Sequence, residues 1–326
     1  MSRIISYREA IREAIAEEMA KDEKVIFLGE DIGVYGGAFG VSAGLIDQFG
    51  RDRIIETPIS ENSFVGVAVG AAMAGLKPIV EIMFMDFITL AMDQIINHAA
   101  KVHYMYGGQL NVPLTIRMPA GAGRGYGASH SQSLESLFLN IPGLKIIAPS
   151  DPYSAKILLK KAIQDPNPVL FVENKMLYDL KQEMPPELDG LEIGKARKLM
   201  DGHDVSLISY GRTLHFALEA AQAVKEQGVS CEVIDLATLK PMDQETIIAS
   251  VQKTGRAVII EEGHKTGGVG AEVAAVIAEH CLEYLNGRVM RIAAEDCPIP
   301  SAMKLEKIIL PNVDKIIKAI NESSFS

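Results

Sequence analysis

The stretch ETPISENSFVGVAVGAAMAGLK, residues 56–77, decides the fold of the first half of the chain. A polar turn at residues 57–62 leads into glycines and alanines at helical spacing, which predicts a helix that packs closely against other backbone. Ser60 or Asn62 is expected to cap this helix, because a short polar side chain accepts hydrogen bonds from the N–H groups of the first turn. Glu61 is then a lone acid at the start of an apolar helix, and the simplest interpretation is an ordinary first-turn acid.

Strand-like and helix-like segments alternate on both sides of this stretch. Apolar runs that predict buried strands lie at residues 25–28, 78–84, 113–117, 145–148, 169–173, 205–210, 231–234, 257–260 and 289–292. The first of them ends in a polar exit, GED at residues 29–31. Helical patterns lie between the strands, among them one that starts with a capping box at Ser6 and Glu9 and one at residues 86–103. Such alternation predicts an α/β fold with two doubly wound domains.

The length of the chain supports the same division. A chain of 326 residues is too long for one ordinary hydrophobic core and suits two domains. Residues 181–190, KQEMPPELDG, contain two prolines, several charges and few apolar side chains, which is typical of a linker. The predicted domains are therefore residues 1–180 and residues 191–326.

The composition argues against several classes of function. A formal net charge of −10 argues against a nucleic-acid partner, since phosphate binding requires a clustered basic surface. The longest apolar run, residues 64–76, is shorter than the roughly 20 residues of a membrane span. The N-terminus shows no signal-peptide pattern and the three cysteines form no CxxC pair, so the cytoplasm is the expected compartment.

Candidate binding residues follow two of the predicted strands. Glycine-rich loops lie at residues 33–44 and 121–127, at the strand ends where ligands bind in open α/β sheets. His130 follows the second loop among small residues that leave room for a cavity, although a loop histidine is more often structural. Met83 and Phe87 are expected either to form an apolar platform for a flat ring or to pack in the core.

Several motifs occur in the order seen in a known family. They are TPISEN, EIMFMDF, DQIINHAAK, YMYGG, GASHSQSLE, IPGLKIIAPSDPYSAK and NPVLFVENKMLY, followed in the second half by YGRTLHFALEAA and GGVGAEVA. Through them the chain resembles the β subunit of the thiamine-diphosphate-dependent decarboxylating component of 2-oxoacid dehydrogenase complexes. The resemblance implies a first domain that binds the pyrimidine ring of the coenzyme and a second, transketolase C-terminal-like domain.

The resemblance also implies roles for particular side chains. Glu61 is expected to hydrogen-bond N1′ of the aminopyrimidine and His130 to face the substrate, which makes both of them candidate catalytic residues. Ile59, Met83 and Phe87 are expected to line the pyrimidine pocket together with Glu61. A potassium ion is expected near a set of four residues, Leu114, Ala162, Asp165 and Asn167.

The resemblance implies partner subunits as well. The sequence contains no GDG segment, which thiamine-diphosphate enzymes use to hold Mg²⁺ and the diphosphate. An α subunit is therefore expected to supply most of the Mg²⁺ site, in an α2β2 heterotetramer whose subunits make close contact at Gly66 and Gly70. Glu295 and Asp296 are candidates for docking the basic subunit-binding domain of the dihydrolipoyl acyltransferase core through the second domain.

The activity that the resemblance favours is the oxidative decarboxylation of pyruvate with reductive acetylation of lipoyl groups, as in pyruvate dehydrogenase. Acetoin dehydrogenase is the nearest alternative, since the segments YMYGG and FMDFI slightly favour it. Branched-chain 2-oxoacid dehydrogenase fits less well, because positions 83 and 87 lack the expected glutamine and tyrosine. A split transketolase-like synthase and a non-catalytic binding module are the alternatives from other classes.

Overall fold

The computed structural model describes residues 3–185 and 190–323. The chain divides into two compact units, residues 1–120 with 138–193 and residues 121–137 with 194–326. No helix among the described residues is both long enough and apolar enough to cross a bilayer.

Short strands and longer helices alternate along both units. The strands are β1 (Arg3–Ser6), β2 (Val25–Gly29), β3 (Ile54–Glu56), β4 (Lys77–Glu81), β5 (Thr115–Ala120), β6 (Lys145–Ile147), β7 (Val169–Asn174), β8 (Lys181–Met184), β9 (Arg197–Met200), β10 (Val205–Ser209), β11 (Cys231–Asp235), β12 (Thr238–Lys240), β13 (Ala257–His264) and β14 (Met290–Ala294). The α-helices are α1 (Tyr7–Lys21), α2 (Leu45–Phe49), α3 (Glu61–Met73), α4 (Ala100–Met105), α5 (Ser136–Leu139), α6 (Pro152–Gln164), α7 (Thr213–Lys225), α8 (Gln244–Thr254), α9 (Val269–Cys281), α10 (Met303–Ile309) and α11 (Val313–Glu322).

The strands of the first unit form a parallel sheet in the order β6–β7–β5–β4–β2–β3, while β1 pairs with β8 antiparallel in a separate ribbon. Every residue of β2, β5 and β7 is buried, as expected for strands that helices cover on both faces. At the carboxyl edge Gly29 of β2 lies between Glu56 of β3 and Glu81 of β4, and Glu81 is paired with Arg117 of β5. The sheet thus gathers charged side chains at one edge.

The second unit has a sheet in the order β14–β13–β10–β11–β9. Its first four strands are parallel and β9 is an antiparallel edge strand. Helix α7 packs on this sheet beside α11, and together they enclose an aliphatic core that includes Leu207, Leu214 and Ile316. The two parallel sheets with helical crossovers confirm the predicted fold class.

Three predicted features differ from the structure. The proposed linker at residues 181–190 is wrong at its start, because residues 181–184 form β8 and pair with β1, and residues 186–189 lie outside the described residues. Residues 121–137, predicted for the first domain, belong to the second unit. The single helix predicted at residues 86–103 is three segments, a 3₁₀-helix (Met85–Ala91), a π-helix (Gln94–Ala99) and α4.

Candidate functional site

Glu61 is the first residue of α3 and is 4% exposed. Ser60 is the N-cap by its backbone, but its side chain makes no capping bond and its hydroxyl donates to Ser63 Oγ at 2.7 Å. Asn62 does not cap either, since its amide oxygen accepts from Gln94 Nε2 at 3.2 Å. The side-chain cap predicted from the sequence is therefore wrong, and the acid at the start of the helix is Glu61 itself.

A second buried acid, Glu30, follows the carboxyl end of β2 and is 5% exposed. The turn before α3 is tied to this strand end, because Thr57 N–H donates to the carbonyl oxygen of Gly29 at 3.0 Å. Burial, and then the negative charges of Glu61, Asp31 and Glu81, raise the pKa of Glu30 to about 7. Sequence reasoning missed Glu30, which it had interpreted only as part of a polar strand exit.

The loop after Glu30 is held in a conformation that few residues tolerate. Asp31 has φ 54°, in the left-handed region, and its carbonyl oxygen accepts from Gly37 N–H at 2.8 Å. Gly33 donates its N–H to Glu56 Oε1 at 3.2 Å, and a Cβ at Gly33 would lie 2.3 Å from Glu56 Cδ. Any other residue at position 33 would displace the Glu56 carboxylate, which in this structure joins the loop to the end of β3.

The apolar residues predicted for a pyrimidine pocket lie in the same unit as Glu61. Met83 and Phe87 are half-buried, and the 3₁₀-helix that carries Phe87 packs against α3. The Phe87 ring meets Phe84 edge to face, with centroids 6.1 Å apart. Ile59 is 83% exposed, so the structure does not place it in a formed pocket within this unit.

A paired cluster of charges lies one strand away from Glu30. Arg117 is fully buried, and its guanidinium contacts the carboxylate of Glu81 and forms two hydrogen bonds with Glu173, at 2.7 and 2.5 Å. Tyr178 O–H also donates to Glu173, at 2.7 Å. Burial raises the pKa of Glu81, which the charge of Arg117 opposes, and the two carboxylates raise the pKa of Arg117 despite its burial.

His130 lies in the second unit, so the predicted site residues are divided between the two units. Its ring is half-buried, and Nδ1 lies 3.0 Å from Ser129 Oγ. Its backbone N–H donates to Gly127 O at 3.3 Å. A cavity of about 510 Å³, lined in part by Ala128 and Gln132, adjoins this loop.

Buried carboxylates of the second unit fix the loop that carries His130. Glu262 accepts from Ala122 N–H at 2.6 Å, and Glu306 accepts from the N–H groups of Gly123 and Gly125 at 2.7 and 3.3 Å. A Cβ at Gly125 would lie 2.9 Å from Ser301 O, which requires glycine there. These bonds explain why residues 121–137 belong to the second unit.

The four residues predicted for potassium meet around the turn after α6. Asp165 N–H donates to Ala162 O at 3.2 Å, and Asn167 N–H donates to Asp165 Oδ1 at 2.9 Å. The carbonyl oxygen of Leu114 accepts from Val169 N–H at 2.9 Å, and the Asp165 carboxylate forms an ion pair with the Lys145 ammonium. The described residues contain no group of three or more His, Cys, Asp or Glu that would hold a metal ion, and potassium stays a prediction.

Comparison with known proteins gives the relatives of the chain. Residues 3–181 match the family described as transketolase, pyrimidine binding domain, and residues 194–316 match transketolase, C-terminal domain. The pyruvate dehydrogenase E1 component subunit beta of Rickettsia bellii is 44% identical and covers 98% of each chain. The 2-oxoisovalerate dehydrogenase subunit beta of Bacillus subtilis is 45% identical with the same coverage. The solved structure of a split gene transketolase, inactive beta4 tetramer, shares the fold with a TM-score of 0.80 at 24% identity and 98% coverage of each chain.

Proposed function

The chain belongs to the family of 2-oxoacid dehydrogenase E1 β subunits, and we propose that it acts in the oxidative decarboxylation of pyruvate and the transfer of the acetyl group to lipoyl carriers. The observation that carries the proposal is the buried acid Glu61 at the start of α3, in a chain 44% identical to a pyruvate dehydrogenase β subunit over nearly its full length. A buried acid on a helix that packs against the segment carrying Phe87 suits a group that exchanges a proton with a bound ring.

The residues of the first unit fit thiamine diphosphate. When bound, this coenzyme supplies the carbanion that adds to a 2-oxo acid and accepts the electrons released on decarboxylation. Glu61 would hold a proton at N1′ of its pyrimidine ring, and Phe87 and Met83 would line the ring and exclude water. The fit rests on the buried carboxylate and on the apolar surface that the packing of the chain leaves partly open at Met83 and Phe87.

His130 has the complementary role of a polar group that meets the substrate. Its loop is fixed by backbone bonds to Glu262 and Glu306, so the imidazole is held by a rigid support. We assign it to orienting the 2-oxo acid, with Ser129 restraining the ring through the contact at Nδ1. The expected signature of His130→Ala is a loss in kcat/KM for the substrate with little change in coenzyme affinity.

The active enzyme requires an α subunit in this proposal. The chain has no GDG segment, so Mg²⁺ and the diphosphate are assigned mainly to the partner, in an α2β2 assembly. The outer face of α3 suits a subunit contact, because Val67 is 63% exposed and Gly70 has open space around its Cβ position. Small residues on an exposed helix face allow the backbone of another subunit to approach closely.

The second unit is assigned to docking the acyltransferase core. Glu295 and Asp296 are exposed after β14, and hydrogen bonds from Thr266 lower the pKa of Asp296. Two neighbouring acidic side chains on the surface suit contact with a basic domain. Reversing both charges to lysine is expected to weaken core binding in a titration, and unchanged binding would contradict this assignment.

The proposed function is tested with the purified chain, alone and with its co-expressed α partner. Decarboxylation is measured with thiamine diphosphate, Mg²⁺ and an artificial electron acceptor, on pyruvate, 2-oxoisovalerate and acetoin in parallel. Activity only with the partner and highest on pyruvate is the expected result. Highest activity on acetoin or 2-oxoisovalerate would show that this compound, and not pyruvate, is the substrate. Activity of the chain alone would contradict the need for an α subunit.

A branched 2-oxo acid is the second candidate substrate. The observation in its favour is the Bacillus subtilis 2-oxoisovalerate dehydrogenase β subunit, at 45% identity. Met83 and Phe87 replace the glutamine and tyrosine expected in branched-chain members, which favours pyruvate. Comparison of kcat/KM for the two acids in the assembled enzyme decides between them.

A further inference from the structure

The loop that carries His130 is closed at its base and held on both of its arms. Gly121 N–H donates to the carbonyl oxygen of Gln132 at 3.0 Å, which closes the loop over residues 121–132. The arm before His130 is held by the hydrogen bonds from its backbone to two buried carboxylates of the second unit. The arm after His130 leads to Glu135, a residue to which the proposed function assigns no role.

Glu135 is a buried acid that is hydrogen-bonded by one side chain. It is 3% exposed, and its Oε1 accepts a hydrogen bond from the Tyr210 hydroxyl at 2.7 Å. Its Oε2 has no hydrogen-bond partner among the residues that the structure describes. Burial raises the pKa of Tyr210 well above its ordinary value, so the hydroxyl stays protonated and donates. Loss of this bond would leave a buried carboxyl group without a side-chain partner, which is unfavourable.

Tyr210 is attached to a rigid part of the second sheet. It directly follows β10, and Thr213 Oγ1 donates to its carbonyl oxygen at 2.9 Å. The end of β10 is tied to the adjacent strand β13, because Ser209 Oγ donates to the carbonyl oxygen of Ile260 at 3.0 Å. Glu262, which accepts a hydrogen bond from the first arm of the loop, lies two residues further along β13. Two adjacent strand ends therefore hold the two arms of the loop.

We propose that Glu135 and Tyr210 are positioning residues for His130: their hydrogen bond fixes the second arm of the loop and so holds the imidazole where it meets the 2-oxo acid. This inference rests on the proposed function, which assigns the orientation of the substrate to His130. It assigns to Glu135 and Tyr210 no contact with the substrate or the coenzyme, because both act through the position of the imidazole.

The place of His130 between the two anchored arms explains why both anchors are needed. The bonds of the first arm end at Gly125, five residues before His130, and Glu135 lies five residues after it. Release of the second arm would leave His130 on a segment that is restrained by side chains on one side only. A displacement of about 1 Å at a group that orients a substrate reduces the rate by roughly a hundredfold. The bond is therefore expected to affect kcat/KM for the substrate and to leave coenzyme affinity unchanged.

The test removes the hydrogen bond from either side, in the chain assembled with its α partner. Tyr210→Phe keeps the ring and deletes the hydroxyl, and kcat/KM for the 2-oxo acid is expected to fall by about tenfold to a hundredfold at unchanged coenzyme affinity. Glu135→Leu should give a similar loss. Glu135→Gln should stay close to the wild type, because its amide oxygen accepts the same bond. Equal losses in the Gln and Leu variants would contradict the role of the bond.

A double-mutant cycle shows whether the bond acts through His130. In the His130→Ala background, Tyr210→Phe is expected to have no further effect on kcat/KM, because the side chain that the bond positions is absent. The same fold loss in both backgrounds would overturn the proposal and leave the proposed function intact. Normal kcat/KM of His130→Ala itself would instead refute the role of His130 in the proposed function.

Hydrogen–deuterium exchange of the coenzyme-free assembly measures the order of the loop without turnover. The amides of residues 126–134 are expected to exchange about tenfold faster in Tyr210→Phe. Tyr7→Phe is the matched control, because Tyr7 is also buried and donates to the carbonyl oxygen of Pro149 at 3.2 Å, but belongs to the first unit. Its loop exchange and kcat/KM should equal those of the wild type. Unchanged exchange in Tyr210→Phe, or faster exchange with unchanged kcat/KM, would overturn the proposal.

Discussion

Glu81 and Glu173 differ from Glu30 and Glu61 in what surrounds them, although all four acids belong to the first unit and are at least 95% buried. The first two meet at the guanidinium of Arg117, which supplies hydrogen bonds and a positive charge to both. Glu30 differs most clearly: the charges that act on it are all negative, and one of its oxygens lacks a hydrogen-bond partner in the described part of the chain.

This difference helps to distinguish buried acids that stabilise the fold from buried acids that serve the function. A buried charge that is paired and hydrogen-bonded is stable where it is, and its proton is not available for exchange. A buried acid without a cation is held at a cost to stability, and such groups concentrate where a ligand or a reaction uses them. We therefore expect substitutions in the first pair to change folding and substitutions in the second pair to change activity.

Arg117→Met should break the paired cluster and give the largest effect. It leaves Glu81 and Glu173 buried without their shared cation, so the free energy of unfolding should fall by about 5 kcal/mol, the upper end for a broken buried ion pair. Urea unfolding measures the change. Arg51→Met, on an exposed turn, is the control and should cost less than about 0.5 kcal/mol. A loss below about 1 kcal/mol for Arg117→Met would show that the cluster is not structural.

Glu61→Gln should reduce activity without reducing stability. The amide cannot exchange a proton with N1′, so turnover of the assembled enzyme should fall by between about a hundredfold and ten thousandfold. The thermal midpoint should stay the same or rise, because the substitution removes a buried acidic group at a similar side-chain size. Steady-state kinetics and thermal denaturation of the same preparation check both. Lost assembly together with lost activity would place Glu61 among the structural acids.

Burial of Glu30 should lower the free energy of unfolding in a pH-dependent way, and Glu30→Gln should remove this dependence. The pKa of Glu30 is raised to about 7 in the folded protein from an ordinary value of 4.5, so the folded state binds the extra proton between these values. Wild-type stability is then lost as pH rises from about 4.5 to 7. The variant lacks this loss, and its advantage should grow to roughly 3 kcal/mol and stay constant above pH 7.

Urea unfolding of the wild type and Glu30→Gln at pH 5 and pH 8 measures this difference in stability. Glu18→Gln serves as the control, since Glu18 is buried but hydrogen-bonded by Gln164, and its difference from wild type should be similar at both pH values. An equal advantage of Glu30→Gln at both pH values would mean that Glu30 is already ionised at pH 5 in the folded protein.

Local signals in the sequence predicted much of the fold. The capping box of Ser6 and Glu9 starts α1 as predicted, and Pro152 follows the N-cap Asp151 at the start of α6. These features involve residues three positions apart or fewer, and their chemistry is visible in the sequence. The start of α3 was located for the same reason, although the expected side-chain cap is absent.

Non-local contacts were beyond such reasoning. Arg117 meets acids 36 and 56 residues away, and the sequence gives no sign of which strands become neighbours in the sheet. From the sequence, Glu30 looks only like a polar residue at the end of a strand. The structure shows that the turn before Glu61 is hydrogen-bonded to the residue that precedes Glu30. The candidate site could be named at Glu61, Met83, Phe87 and His130 only through resemblance to a family, and their roles stay predictions.

Tyr178→Phe is expected to have the smallest effect on stability, and it tests the charge assigned to Glu173. Its hydroxyl donates to the buried carboxylate of Glu173 at 2.7 Å, while its ring stacks on Phe39 at 5.2 Å and should remain in place in the variant. Loss of a hydrogen bond to a charged group should cost about 1.5–2 kcal/mol in urea unfolding. Tyr7→Phe is the matched comparison, because Tyr7 is also fully buried but donates to a neutral carbonyl, that of Pro149, at 3.2 Å.

The Tyr7 variant should lose about 1 kcal/mol or less, since hydrogen bonds between neutral groups contribute less than those to ions. A greater loss for Tyr178→Phe, with unchanged activity in the assembled enzyme, is the result expected if Glu173 is ionised and structural. Equal losses would indicate that Glu173 is protonated, and the pair with Arg117 would then not be the charged cluster that distinguishes this part of the sheet from Glu30 and Glu61.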